Sequence, residues 1–354
     1  MHAASADLLE IRAGPRALHH LRERGLAPSD VRAIPAAAGG PKGLALIPLD
    51  RRLAREWLPA MARVELVGAS IGAWRMAALA QPDAEAALER LCRAYVHDQN
   101  YRRKPPAAEV SATIRAVARQ VLAGGALPTR AGVSLDVLTS RARGPLAGRR
   151  GRGAFARAAL TNAMARSRLA HHLERVVFHA GAPSTLAQPH DAFGLTRVPI
   201  DVANAEDALT ASGSIPMVCD PVEGIAGAPA GDYWDGGLVD YHLLLPHSRL
   251  DGIVLYPHFV PHVTPGWLDK FLPWRRRPRA HPWLANVLLL APSRAFLDRL
   301  PNRKLPDRDD FYRYGLDHAA RIRDWERAIA ECERFADAAM AWLARPDPSR
   351  VRAL

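Results

Sequence analysis

One stretch limits what this chain can fold into more than any other: Val64-Glu-Leu-Val-Gly68-Ala-Ser70-Ile-Gly72-Ala-Trp74. An apolar run ends in G-x-S-x-G and passes at once into a helical pattern. Such a turn holds a serine between strand and helix with its hydroxyl exposed. Gly68 and Gly72 let strand and helix approach closely. A helix starting just behind Ser70 puts its positive end beside any oxyanion formed there. Strand followed directly by helix is the repeating unit of an α/β fold, whose sites lie at the carboxyl ends of its strands. Taken alone, the pattern fits either a nucleophile or a plain turn.

A second unit of the same kind precedes it. Val31 to Ala38 reads as a buried strand running into Gly39-Gly40-Pro41-Lys42-Gly43. Leu44, Leu46, Leu53 and Trp57 then suggest a helix, and Pro48 within it predicts a late start or a kink. A glycine loop between strand and helix is a cradle of backbone N–H groups suited to an anion. It does not match a nucleotide-binding P-loop, because Lys42 precedes the last glycine and no Ser or Thr follows for magnesium.

Further along, the helix behind Ser70 is expected to reach about Gln81, and Asp83 to cap the next one through Leu88, Leu91 and Tyr95. Glu109 to Leu122 reads as helix and Val133 to Thr139 as strand. Arg141 to Arg157 reads as a solvated Gly/Arg loop, Ala159 to Val176 as helix, and Leu195 to Val202 as strand. Ala211-Ser-Gly-Ser-Ile-Pro216 follows, then Asp232-Tyr-Trp-Asp235-Gly236-Gly237-Leu-Val-Asp240. Asp-Gly-Gly most simply makes a hairpin turn. The spacing of Asp232, Asp235 and Asp240 does not fit an EF-hand calcium loop. Ile253 to Phe259 is a further buried strand. From Pro265 to Trp283, Trp267, Phe271, Trp274 and Trp283 interleave with arginines, which suits either a bilayer interface or a surface loop with its tryptophans tucked under. Asp309 to about Ala344 reads as one amphipathic helix or two.

Composition narrows the partners. The formal net charge is +12, yet only Lys42, Lys104, Lys270 and Lys304 are lysine. The charge is a weak bias towards anionic surfaces. Nucleic acid is not expected as a partner, because no aromatic RNA-reading motif or zinc-finger spacing occurs. Cys92, Cys219 and Cys332 show no C-x-x-C spacing, which favours a reducing, cytoplasmic setting. Met1 to Arg16 carries Asp7 and Glu10 without a long apolar run, and no segment reaches membrane-spanning length. The expected membrane contact is at most peripheral.

In order, Gly39–Gly43, Gly68–Gly72 and Asp235–Gly237 resemble the motifs of the patatin-like phospholipase family. Ala211 to Pro216 is similar to the A-S-x-x-I-P stretch of that family. The resemblance covers about Ala33 to Asp240, departing at Ala38, where the family usually has a first glycine, and at Pro48. It implies a three-layer α/β/α fold with a mainly parallel central sheet and a helical C-terminal extension. The corresponding division is an N-terminal segment (1–30), a catalytic domain (31–262) and a basic, aromatic and helical extension (263–354). It also implies a Ser–Asp dyad. Ser70 would be the nucleophile on the Gly68–Gly72 elbow, and Asp235, followed by Gly236 and Gly237, the base. Gly39, Gly40, Pro41, Lys42 and Gly43 would form the oxyanion hole. No metal or cofactor is implied, and the substrate would be a phospholipid or another fatty-acyl ester.

An aspartate with an ordinary pKa of about 4 is a feeble base for a serine hydroxyl. The dyad therefore requires Asp235 in a partly dehydrated pocket within hydrogen-bond reach of Ser70. Two rivals stay open. One is a Ser-His-Asp triad, with His258 the best placed among His242, His247, His258, His262 and His318. The other is a non-catalytic lipid-binding protein that keeps the fold and uses Trp267–Trp283. Acyl length, headgroup and oligomeric state are not legible in the sequence.

Overall fold

The computed structural model describes residues 8–122, 124–276 and 281–354. Its strands are β1 (Leu9–Ala13), β2 (Val31–Ala36), β3 (Val64–Ala69), β4 (Val133–Ala142), β5 (Leu173–Ala180), β6 (Leu195–Pro199), β7 (Tyr233–Asp235), β8 (Ile253–Pro257), β9 (Val287–Pro292) and β10 (Arg352–Ala353). They form one sheet in the order β10-β1-β9-β8-β2-β3-β4-β5-β6, with β7 attached to β4. The stretch from β9 through β8, β2 and β3 to β4 is parallel throughout. Central strands covered on both faces need continuous apolar runs, and β8 and β9 are buried at every position. The fold is a three-layer α/β/α sandwich with a mainly parallel mixed sheet.

The helix Ile71–Leu79 packs against β2, β3 and β4, and Ala84–His97 packs on it in turn. The long helix His318–Ala344 lies against Ile47–Arg52 and Ala84–His97. A satellite apolar cluster gathers Leu146, Ala158, Leu169, Trp234 and Leu238. Within the main core, Arg75 and Asp50 form a fully buried pair, with Nε–Oδ2 2.6 Å and Nη2–Oδ1 2.8 Å. Among the described residues all three cysteines are free, and no helix is long and apolar enough to cross a membrane.

Several expectations hold locally. Asp83 caps Ala84–His97 by accepting from Ala86 N. Pro48 falls in the first turn of Ile47–Arg52, after a 3-10 segment Gly40–Leu46, so the helix does start late. The tail is two helices, Asp310–Tyr314 and His318–Ala344.

Others are corrected. The helix expected over Ala159–Val176 is Arg152–Met164; Leu173 onward is β5, antiparallel to β4. Burial on both faces erases the period that separates a strand from a buried helix. Arg141–Arg157 is not a free loop: Arg141 ion-pairs with Glu174, Arg150 bonds Asp232 at 2.8 Å, and a helix begins at Arg152. Asp235-Gly236-Gly237 is not a hairpin turn; Asp235 ends β7 and caps the 3-10 turn Gly236–Leu238. In the basic-aromatic stretch, Trp267 and Trp283 are half-buried, while Phe271 and Trp274 are 62% and 68% exposed. Arg277 and Arg279 lie outside the described residues.

Candidate active site

Ser70 and Asp235 are 165 residues apart in sequence, and the sheet brings them together. A strand has two edges. On β4, one edge is taken by β5 from Leu135 to Ala142. The other is shared: β3 pairs with it up to Ala69 opposite Leu138, and antiparallel β7 takes over with its last residue, Asp235, opposite Thr139. Ala69 and Asp235 therefore occupy successive places along β4, and the residue after Ala69 is Ser70. The junction admits no side chain at Gly236, whose Cβ would lie 2.1 Å from Leu138 O. Likewise a Cβ on Gly72 would lie 2.0 Å from Ala36 O, so the helix behind Ser70 sits this close to β2 only with glycine there.

Ser70 itself has φ 57° and ψ −132°, a sparsely populated conformation for a residue with a Cβ. Two serines hold the arrangement. Ser70 N donates to Ser212 Oγ (2.9 Å), and Ser212 Oγ donates to Leu138 O (2.8 Å). Asp235 N donates to Ser214 O (2.8 Å), and Ser214 Oγ donates to Thr210 O (2.9 Å). The Ala211–Pro216 stretch thus fixes both members of the pair. Its similarity to a family motif drew attention in the sequence, but its positioning role did not.

Ser70 Oγ donates to Asp235 Oδ2 at 2.7 Å, while Oδ1 accepts from Gly237 N at 2.7 Å. Both side chains are buried. Burial pushes the Asp235 carboxyl up to about 6; the bonds from Ser70 and Gly237 and the nearby Arg308 charge hold it back. A buried carboxyl thus lies within hydrogen-bond reach of the Ser70 hydroxyl.

Three of the histidines are engaged elsewhere. His258 is fully buried, its Nδ1 accepts from Val260 N, and its ring packs on Tyr256, Phe259 and His242. Burial holds His258 and His242 well below the usual imidazole range. His247 bonds Leu243 O, and His318 lines the apolar cavity described below. The Asp235 carboxylate touches Ser70 directly, with no imidazole between them.

Gly39, Gly40 and Lys42 of the glycine loop face the same cavity as Ser70. Pro41 and Gly43 are buried beneath them. The loop continues into the 3-10 turn Gly40–Leu46, whose first amides have no upstream carbonyl within the turn to bond. Two cavities meet at Ser70, Gly40, Ile215 and Arg308. One, of about 140 Å³, is the more polar and includes Lys42, Asp235, Lys270, Asp307, Arg308 and Asp309. The other, of about 160 Å³, is mainly apolar, with Trp74, Tyr95, Val110, Ile114 and Phe311, and also carries Arg102 and Arg103. Sequence reasoning missed Lys270 and Arg308 as site residues. The one available signal was scarcity: two of the four lysines line the Ser70 cavity.

Among the described residues no cluster of three His, Cys, Asp or Glu side chains is arranged to hold a metal ion. Comparison with curated proteins finds no match. The family model described as Patatin-like phospholipase matches residues 38–245. That segment opens at Ala38, directly before the glycine loop, and runs past Asp235, stopping short of Lys270 and Arg308. It takes in more than half of the chain, together with every strand and turn that carries the Ser70–Asp235 pair, and on that ground the chain belongs to the patatin-like phospholipase family.

Proposed function

We propose that this family member is a carboxylic ester hydrolase acting on fatty-acyl esters or phospholipids through a Ser70–Asp235 dyad. The family implies lipid acyl hydrolase activity. The observation that carries the finer reading is the 2.7 Å bond from Ser70 Oγ to a buried carboxyl held near 6. Asp235 Oδ2 accepts the Ser70 proton as Oγ adds to the ester carbonyl. Backbone N–H groups of the Gly39–Gly43 loop hold the resulting oxyanion, where losing one donor typically costs about 10²–10³ in rate. Collapse breaks the acyl C–O bond, and Asp235 returns the proton to the departing alcohol. Asp235 then takes a proton from water as the water adds to the acyl-serine; collapse breaks the acyl C–Oγ bond, Asp235 returns the proton to Ser70 Oγ, and the fatty acid leaves. The Lys42 charge raises the positive potential of the loop.

The test is a fluorophosphonate probe together with p-nitrophenyl acyl esters and phospholipids. Labelling at Ser70 with ester turnover is the expected result. No labelling and no turnover, with retained binding to liposomes, would favour the non-catalytic alternative. The pH profile follows from the base. Asp235 must be ionised to act, so kcat/KM is expected to climb about tenfold per pH unit up to about pH 6 and then level. A break near about 4, where an unperturbed aspartate titrates, would remove burial from the explanation.

The setting proposed is cytoplasmic, with peripheral contact to anionic membrane through 267–283. Phe271 and Trp274 are the exposed aromatics there, and Lys270 beside them lines the Ser70 cavity. Exposed aromatics beside basic residues suit the headgroup region. Phe271→Ala/Trp274→Ala is expected to lose co-flotation with phosphatidylglycerol vesicles while still turning over a dispersed p-nitrophenyl ester. Undiminished flotation of this variant would remove the proposed contact.

A further inference from the structure

Lys270 and Arg308 lie beyond the segment that matches the family, yet both line the polar cavity at Ser70. Their positions are fixed. Arg308 lays its stem across the glycine loop, with Cγ 3.5 Å from the place a Cβ on Gly40 would take. Its turn is pinned by buried Asp310, which accepts from Lys304 Nζ (2.6 Å), Trp325 Nε1 (2.9 Å) and Asp307 N (3.0 Å). The turn carrying Lys270 is pinned by buried Asp269, which accepts from Asn162 Nδ2 (2.9 Å), Arg166 Nη1 (3.1 Å) and Gly266 N (3.0 Å). Lys270 Nζ sits 4.8 Å from the Trp267 ring centre and 4.7 Å from that of Phe271.

Lys42, Lys270 and Arg308 are all half-buried, and among the described residues none of them makes an ion pair. Two of the three carboxylates at the cavity are otherwise engaged. Asp235 holds Ser70, Asp307 holds Lys304 at 2.7 Å, and Asp309 is exposed. Burial first, then the Arg308 and Lys42 charges, pushes the Lys270 ammonium down to about 8, against the opposing pull of Asp309. Lys42, Lys270 and Arg308 share the cavity with Asp235, Asp307 and Asp309, yet among the described residues no carboxylate pairs directly with any of the three, so a bound anion would gain charge-assisted partners there. The apolar cavity meeting the same serine accounts for a hydrocarbon chain.

We infer that Lys270 and Arg308 form an anion subsite for the alcohol portion of the substrate, selecting monoacyl esters whose alcohol carries a phosphate-type group. This rests on the Ser70–Asp235 reading. The acyl C–O bond breaks, the phosphate-bearing alcohol leaves with the proton from Asp235, and water completes the fatty acid.

The experiment compares kcat/KM for a monoacylglycerol 3-phosphate and for the monoacylglycerol of the same chain. The phosphate is expected to be preferred by at least about tenfold for each cation. Lys270→Gln and Arg308→Gln each lower the ratio about tenfold, and the double variant brings it towards one. Lys270→Arg and Arg308→Lys, which keep the charge, retain most of it. A wild-type ratio near one, or a ratio untouched in the double variant, overturns the subsite.

A second arm needs no turnover. Ser70→Ala protein is titrated with dodecyl phosphate, dodecanol and inorganic phosphate. Dodecyl phosphate is expected to bind tightest, and to lose that advantage in Ser70→Ala/Lys270→Gln/Arg308→Gln. Inorganic phosphate binding as tightly would point to a free-anion site, and dodecanol binding as tightly to a purely apolar one; either overturns the lipid assignment. Ser70 labelling by fluorophosphonate separates the two readings. Labelling without phosphate preference sinks the subsite, whereas dodecyl phosphate binding without labelling sinks the dyad. Arg308→Gln is also expected to move the Asp235 break in the pH profile upward, which a merely structural arginine would not do.

Discussion

Asp235→Asn lowers kcat/KM on a p-nitrophenyl acyl ester by about 10⁴–10⁶-fold, and Ser70→Ala does the same. The asparagine variant is the sharper of the two, because it keeps volume and most contacts. Its amide oxygen still accepts from Gly237 N in place of Asp235 Oδ1. What it loses is Oδ2, the oxygen that accepts from Ser70 and is proposed to take its proton. Stability is expected to move the other way. Burial raises the Asp235 carboxyl to about 6 from 3.8, so the folded state holds a proton that the unfolded state has released. Its contribution is present at low pH and lost as pH rises through about 6. At about pH 8 a neutral amide should therefore leave the thermal midpoint equal to or above wild type. Dead activity with an undiminished midpoint would identify a carboxylate kept for chemistry. Loss of activity in His258→Ala, with Asp235→Asn tolerated, would instead support a histidine triad.

Close backbone approach is what made the site readable in the sequence. Where a strand and a helix nearly touch, as at Gly72 against Ala36 O, only glycine fits, and a mark is left in the composition. Asp235-Gly236-Gly237 left a similar mark for the same reason, although its turn type did not follow from it. Register was not legible. That β7 takes over the edge of β4 where β3 ends depends on pairing between distant segments. The strand nature of Leu173–Ala180 was hidden because burial on both faces removes the alternation. Lys270 and Arg308 reach the site from the C-terminal extension through turns held by Asp269 and Asp310, and no local pattern announces where such turns dock.

Arg75→Ala is expected to destabilise the fold by about 3–5 kcal/mol, since removing one partner of a buried pair leaves the other charge uncompensated. Against a typical total of about 5–15 kcal/mol this is a large fraction. Arg75 and Asp50 are both fully buried and joined by two bonds, so no water screens the loss. Burial already pushes the Asp50 carboxyl up, and Arg75 is the group that pulls it down. Without Arg75 the folded carboxyl rises further and holds a proton over more of the pH range. The deficit should therefore be larger at about pH 8 than at about pH 5 when read by urea unfolding. Arg75→Met/Asp50→Leu replaces the pair with apolar volume and should recover most of the stability. Activity separates packing from positioning. Asp50 lies on the segment that follows the glycine loop, and Arg75 on the helix that starts behind Ser70. The pair therefore ties the proposed oxyanion donors to the proposed nucleophile. A double variant with restored stability and lowered kcat would show that the tie sets catalytic geometry, whereas wild-type kcat would reduce the pair to core packing.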